Sequence, residues 1–250
     1  MSQFDTLAAA YEETTRRFPF REHIEAHSLL AVIGSLDGLA VLDLGCGSGV
    51  YTRRLRRLGA ARAIGVDASA GMIEHGERLE RAEPLGVRYL TADAALGLDP
   101  GLVGAFDLVV GVYLTPYATT AEDLTGIFRT ARQALKPGPA GGRFVTAVLN
   151  PDHARSPGYY KPYGFDIVCD PDDDRDGAPT DLSGSIDGHD FLLHGFRWSQ
   201  RTHERALRGG GFTNAKWVRP TLSDEGRRLH PDSYWADYLR HPHTLILEAT

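Results

Sequence analysis

Short apolar runs alternate along this chain with longer stretches in which apolar positions recur every three or four residues. The runs at 40–44, 61–66, 87–92, 105–114 and 143–149 are nearly continuous in Val, Leu, Ile and Ala. Each is too short for a typical helix, and apolar residues at successive positions mark a strand buried on both faces. Helical spacing predicts helices over 50–58, 70–81 and 120–135, the last with Thr120 as its N-cap. Two more helical patterns, 4–11 and 22–36, precede the first strand. Strands alternating with helices of this length imply right-handed crossovers and a parallel sheet covered on both faces.

The alternation stops at Asn150. Residues 150–195 are rich in Pro, Gly, Asp and Tyr, and a loop of that length is usually functional. Two extended pieces within it, 164–169 and 191–198, read as a small antiparallel pair over the sheet. A helix follows over 199–208, stopped by Gly209-Gly210-Gly211. Closing strands are expected at 216–219 and 244–249, separated by a segment that holds Trp235 and Tyr238. One domain is expected: a helical cap at 1–36, a core at 37–149, a substrate-side insertion at 150–198, and a closing helix and strands at 199–250.

Bulk composition narrows the classes. A length of 250 residues with 42% hydrophobic content is ample for one core. The net charge of −6 argues against a nucleic-acid footprint, which needs clustered cations. Two cysteines, Cys46 and Cys169, are too few for a disulfide framework. No apolar run nears the roughly 18 residues that cross a membrane, and no basic-then-apolar leader opens the chain. A cytoplasmic protein is expected, with a small-molecule substrate, no nucleic-acid or membrane partner, and a homodimer left open.

Candidate chemistry centres on Val41-Leu42-Asp43-Leu44-Gly45-Cys46-Gly47-Ser48-Gly49. A buried strand that passes through glycines into a helix brings a ligand close to backbone and to a positive helix end. Asp67 ends the second strand and Asp93 the third, on the side where α/β sheets bind ligands. Asp67 lies about twenty residues after Gly45, where a carboxylate accepts ribose hydroxyls, and Asp93 can accept from an exocyclic amine. Asp43 suits an ammonium better than a pyrophosphate. The dinucleotide fingerprint G-x-G-x-x-G is broken by Val50. Adenosine joined to an amino acid meets all these demands.

These residues resemble the first motif of class I S-adenosylmethionine (SAM) methyltransferases. Gly65-Val66-Asp67-Ala68-Ser69 with Met72-Ile73 resembles the second, and Phe106-Asp107-Leu108-Val109 the fourth. Leu135-Lys136-Pro137-Gly138 with Gly141-Gly142 resembles the turn into strand five, split here by Pro139-Ala140. The resemblance implies a Rossmann-like, doubly wound, mainly parallel seven-stranded sheet, with SAM as cofactor and S-adenosylhomocysteine as product. It implies that Gly45 and Gly47 meet the methionine portion and ribose, and that Asp43 holds the amino group. Asp67 would bind the ribose, Ala68 and Met72 would flank the adenine, and Asp93-Ala94 would meet its amine. Val112 would pass near the sulfonium, with Tyr11 at the methionine end.

On the acceptor side, Tyr163-Gly164 after Lys161, Phe196-Arg197-Trp198-Ser199, Gly211-Phe212 and Trp217 resemble toxoflavin-type N-methyltransferases of natural-product pathways, although Pro116-Tyr117-Ala118 replaces their Asn-Tyr-Ala. Tyr117, Tyr160, Tyr163, Trp198 and Trp235 are candidate walls for a flat acceptor. Tyr113 is a candidate catalytic residue, and His189, His194 and His153 are candidate bases. No metal is expected: Asp172-x-Asp174-x-Asp176-Gly177 lacks the closing Glu of a calcium loop, and His241-Pro242-His243 has no third ligand nearby. Two other readings stay open, an NAD-linked oxidoreductase and a non-catalytic SAM-binding protein.

Overall fold

The computed structural model describes residues 17–138, 141–186 and 189–250. The expected first helix, Tyr11 and Pro139-Ala140 lie outside the described residues. Seven strands form the main sheet: β1 (Ala40–Leu44), β2 (Arg62–Asp67), β3 (Arg88–Thr91), β4 (Leu108–Val112), β5 (Arg143–Leu149), β10 (Ala215–Val218) and β11 (Thr244–Ala249). Their spatial order is β3-β2-β1-β4-β5-β11-β10. The first five are mutually parallel, whereas β11 enters antiparallel between β5 and β10.

Alternation of side chains across the sheet explains the apolar runs. Leu42, Leu44, Val66, Val109 and Phe144 point to one face, against α4 (Ala121–Ala134) and α5 (Gln200–Gly210). Val41, Leu108, Val110, Val145 and Ile246 point to the other. There they meet Leu29 and Ile33 of α1 (His27–Ile33) and Leu55 of α2 (Val50–Arg57). All these side chains have no solvent exposure, so apolar residues follow one another along each strand instead of alternating with polar ones. A third helix, α3 (Ala70–Ala82), follows β2, with Ser69 accepting from Met72 N as its N-cap. Thr120 caps α4 as expected, in a reciprocal capping box with Asp123.

Three local expectations need correction. Helix α5 runs through Gly209 and Gly210 and ends at Gly211, whose φ is +98°. A Cβ on Gly210 would lie 2.8 Å from Arg129 N and 2.9 Å from Phe128, so this glycine permits close approach of α4 rather than stopping the helix. The segment with Trp235 and Tyr238 forms two helices, α6 (Asp224–Leu229) and α7 (Asp232–Arg240). The insertion is a four-stranded antiparallel sheet of β6 (Phe165–Cys169), β7 (Ala178–Ile186), β8 (His189–Leu193) and β9 (Phe196–Arg197). Its two expected pieces never pair with each other, because β7 lies between them. Phe165, Ile167, Phe191 and Leu193 of this sheet pack on Phe18, Phe20, Tyr160, Tyr163, Trp235 and Tyr238, a second core beside the first.

Candidate functional site

The chain leaves β3 and crosses over to β4 beside β1, so the order of strands reverses between β1 and β4. A crevice at the carboxyl ends of the strands follows from that reversal. The glycine turn opens into it. Gly45, Gly47 and Gly49 have φ of +73°, +54° and +85°, a region that other residues enter only with strain. A Cβ on Gly49 would also fall 2.1 Å from the Tyr89 hydroxyl.

Sequence reasoning leaves the amides of this turn to the ligand, whereas the structure commits most of them to β2. Gly45 N and Cys46 N donate to Val66 O at 2.8 and 3.0 Å. Gly47 N donates to Asp67 Oδ2 at 2.7 Å, and Ser69 N to Asp67 Oδ1 at 2.8 Å. Asp67 therefore fixes the turn and the start of α3 at once.

A cavity of about 420 Å³ occupies the crevice, a size within the range of small-ligand pockets. Asp43, Gly45, Gly47, Asp67, Ala68, Met72, Asp93, Ala94 and Val112 all line it, so nine candidates scattered over seventy positions converge. Asp43 is buried and accepts a hydrogen bond of 2.7 Å from Thr52 Oγ1. Burial pushes its carboxyl up to about 7; the Thr52 bond opposes the rise and the Asp67 charge adds to it. Burial first, then the Asp43 and Asp67 charges, hold the Cys46 thiol well above its usual range, which makes it a poor nucleophile. Asp93 is exposed at the rim and accepts from Ala95 N at 2.8 Å.

A second cavity, about 50 Å³, adjoins the first and shares Arg21, Tyr113 and Tyr117 with it. Phe18, Phe20, Phe165, Ile167, Leu182 and Leu193 give it mostly apolar walls, with His243 among them. Behind this junction lies a buried polar cluster that sequence reasoning missed. The Tyr113 hydroxyl donates to Glu25 Oε1 and lies 3.0 Å from His243 Nε2. His243 Nε2 is 3.1 Å from Glu25 Oε1, and His243 Nδ1 is 2.9 Å from the Tyr238 hydroxyl. Arg21 Nη1 stands 3.9 Å from Glu25 Oε2. Burial, followed by the Glu25 charge, drives the Tyr113 hydroxyl well above the usual phenol range.

Four of the acceptor-side candidates line none of these cavities. Trp198 is buried in the main core and donates through Nε1 to Ala118 O at 3.1 Å. Trp235 is buried in the second core and donates to Gly226 O at 3.0 Å. Tyr160 bridges Ala154 N and His241 O through its hydroxyl, and Tyr163 bridges Tyr238 N and Tyr234 O. Each aromatic thus spends its polar atom on backbone, as a packed residue does. His194 is exposed, 3.1 Å from Asp181 Oδ2. The side chain of His189 lies outside the described residues. His153 is buried, its Nδ1 2.8 Å from Asn150 O, and burial lowers its pKa to about 4. In the acidic loop, Asp174 pairs with Arg155 at 2.8 Å and Asp176 accepts from Ser199 and Thr202 at the start of α5.

Residues 41–138 match the family model of a methyltransferase domain. The chain is 34% identical over 119 residues to a ubiquinone biosynthesis O-methyltransferase of Methylobacterium sp. (strain 4-46), a match that covers 46% of this chain and 43% of that one. It therefore spans less than half the length of that relative. Among solved structures it is similar to an S-adenosylmethionine dependent methyltransferase from Mesorhizobium loti, with a TM-score of 0.62 at 23% identity over 90% of this chain and 96% of that one. The CcbJ methyltransferase from Streptomyces caelestis gives 0.63 at 20% identity over 99% and 97%. At such identities the likeness carries the fold.

Proposed function

We propose that this chain is a SAM-dependent methyltransferase that transfers a methyl group to a small metabolite, a reading supported by the match of residues 41–138 to a methyltransferase-domain model and by the likeness of fold. The supporting observation is the convergence of Asp43, Asp67 and Asp93 on one cavity that shares Tyr113 and Tyr117 with a second. The residues present fit the cofactor. Ionised carboxylates are acceptors only, so Asp67 and Asp93 suit ribose hydroxyls and an adenine amine. Asp43 gains a partner for its costly buried charge from an ammonium, whereas a pyrophosphate would add like charge.

Bound SAM supplies a methyl carbon already activated on sulfonium. What remains for the protein is mainly positioning, which can be worth about 7–11 kcal/mol. Met72 and Ala68 would hold the adenine, the Gly45–Gly47 backbone the methionine portion, and Val112 would stand nearest the reacting end. Tyr113 and Tyr117 wall the junction, where aromatic faces steady a cation. Apolar walls of Phe18, Phe20 and Phe165 favour a flat aromatic or heterocyclic acceptor with nitrogen or oxygen as the methylated atom. A cytoplasmic natural-product pathway suits such chemistry.

Thermal melting with S-adenosylhomocysteine tests the reading. At about 100 times its dissociation constant the ligand should stabilise the fold by roughly 2.7 kcal/mol. That is about 5–11 °C for a chain of this size. A shift with NADH and none with S-adenosylhomocysteine would overturn the proposal. Binding without turnover over a broad acceptor panel would favour a non-catalytic SAM-binding protein.

A further inference from the structure

Glu25 is an unusual residue to find behind the junction of the two cavities. It is 1% exposed. One carboxylate oxygen takes Tyr113 and His243, while the other, Oε2, has no hydrogen-bond donor among the described residues and only the Arg21 guanidinium at 3.9 Å. A buried carboxylate oxygen left without a donor is costly, and such an exception calls for an explanation. Tyr113 is the second oddity. Among the described residues it is the non-glycine residue with positive φ, at +56°, and strain of this kind gathers where a side chain must be aimed. Tyr113 lines both cavities, and its hydroxyl reaches Glu25 and His243.

We propose that Tyr113, Glu25 and His243 form a proton relay serving an acceptor seated at this junction, and that the acceptor is therefore an O–H or N–H acid. The inference rests on the methyltransferase reading and specifies its substrate class. The acceptor atom forms a bond to the methyl carbon as the carbon–sulfur bond breaks, with that electron pair remaining on sulfur. The acceptor's proton passes to the Tyr113 oxygen, and the hydrogen already on Tyr113 passes to Glu25 Oε1. Tyr113 stays neutral throughout, which suits a phenol too buried to ionise. His243 lies 2.9 Å through Nδ1 from the Tyr238 hydroxyl and 3.1 Å through Nε2 from Glu25 Oε1, so a hydrogen assigned to Nε2 would hold that oxygen in place.

The surroundings suit this transfer. Arg21 faces Glu25 from the same helical turn, Tyr113 comes from the loop after β4, and Tyr238 from α7. Tyr160 from the insertion packs its ring 5.9 Å from that of His243. His153 also lies in the field of His243, and its burial keeps it neutral near pH 7. Glu25 is thus the carboxyl group that ends the relay.

The test uses the whole chain saturated with SAM and offers phenols of graded acidity, N–H heterocycles, trimethylamine and dimethyl sulfide. Methylation of the protic probes alone is expected. Glu25→Gln and Tyr113→Phe should each lower kcat for unactivated phenol about 100-fold or more, within the usual range for acid–base catalysis. Their rates should recover with 4-nitrophenol above its own pKa, because a pre-ionised acceptor needs no relay. Independently of turnover, 4-nitrophenol in the S-adenosylhomocysteine complex should show its phenolate band at lower pH than in solution, an advance lost in Glu25→Gln. A melting shift with S-adenosylhomocysteine that is retained in both variants shows that each still folds. Methylation of trimethylamine or dimethyl sulfide, uptake of no protic probe by a protein that binds S-adenosylhomocysteine, or variants equally slow with every phenol would overturn the relay. Absence of the S-adenosylhomocysteine shift in the wild-type protein would instead overturn the methyltransferase reading beneath it.

Discussion

Asp43 and Asp67 differ by their surroundings, and the difference can be measured. The Asp43 carboxyl is raised from its ordinary value to about 7. Between about pH 4 and 7 the native state therefore holds a proton that the unfolded state has released, so this group's contribution to stability falls as pH rises through that window. His153, lowered to about 4, slopes the opposite way between pH 4 and 6.5, so only a comparison with a variant isolates Asp43. Asp43→Asn keeps an acceptor for Thr52 and removes the buried charge. The ligand-free variant should melt above wild type at pH 8, by about 2–4 °C per kcal/mol relieved, and match it near pH 4. A melting series against pH checks this, and a difference that does not depend on pH would refute it. Asp67→Ala should weaken S-adenosylhomocysteine binding by about 10- to 150-fold, the worth of one charged hydrogen bond. Calorimetry that finds affinity unchanged would remove Asp67 from the ribose site. Strand-end aspartates were legible because their spacing follows the strands. Glu25 was not: between Ile24 and Ala26 nothing in the sequence separates a buried carboxylate from a solvated one, and His243 is placed only by the fold.

At the scale of elements, the parallel core was legible because strands buried on both faces write themselves as unbroken apolar runs. Strand β7 reads Ala-Pro-Thr-Asp-Leu-Ser-Gly-Ser-Ile, with little apolar alternation, and its place between β6 and β8 depends on partners far along the chain. Helices α6 and α7 are short: α6 buries Gly226, and the burial of α7 falls on two large rings, Trp235 and Tyr238. Glycines misled in α5 for a physical reason. Local propensity counts Gly210 as a helix breaker, but the contact with α4 leaves no room for a side chain. Gly210→Ala should therefore destabilise by about 1–3 kcal/mol, as overpacked sites do, although alanine is the better helix former. Chemical denaturation measures it, and a more stable variant would show that the helices can part at no cost.

On the scale of the whole molecule, two cores meet at the site: the sheet borders the first cavity, and the insertion with Phe18 and Phe20 borders the second. Hydrogen exchange should separate them. Amides of β1 and β4, central in the sheet and covered on both faces, should exchange only by global unfolding. Those of β8, whose Leu192 is 46% exposed, should exchange earlier, and S-adenosylhomocysteine should slow β1 and β4 further. Equal protection in β1 and β8 would argue for one cooperative unit.

The placement of β11 also sets a timetable for synthesis. The nine candidates from Asp43 to Val112 that line the first cavity leave the ribosome long before His243, and β10 has no neighbour to pair with until Thr244–Ala249 arrives between it and β5. A growing chain thus carries those residues early and His243, on the wall of the second cavity, near the end. Chains stopped before Thr244 should lack the final closure of the sheet, and limited proteolysis of arrested chains would show whether protection of β10 waits for that strand.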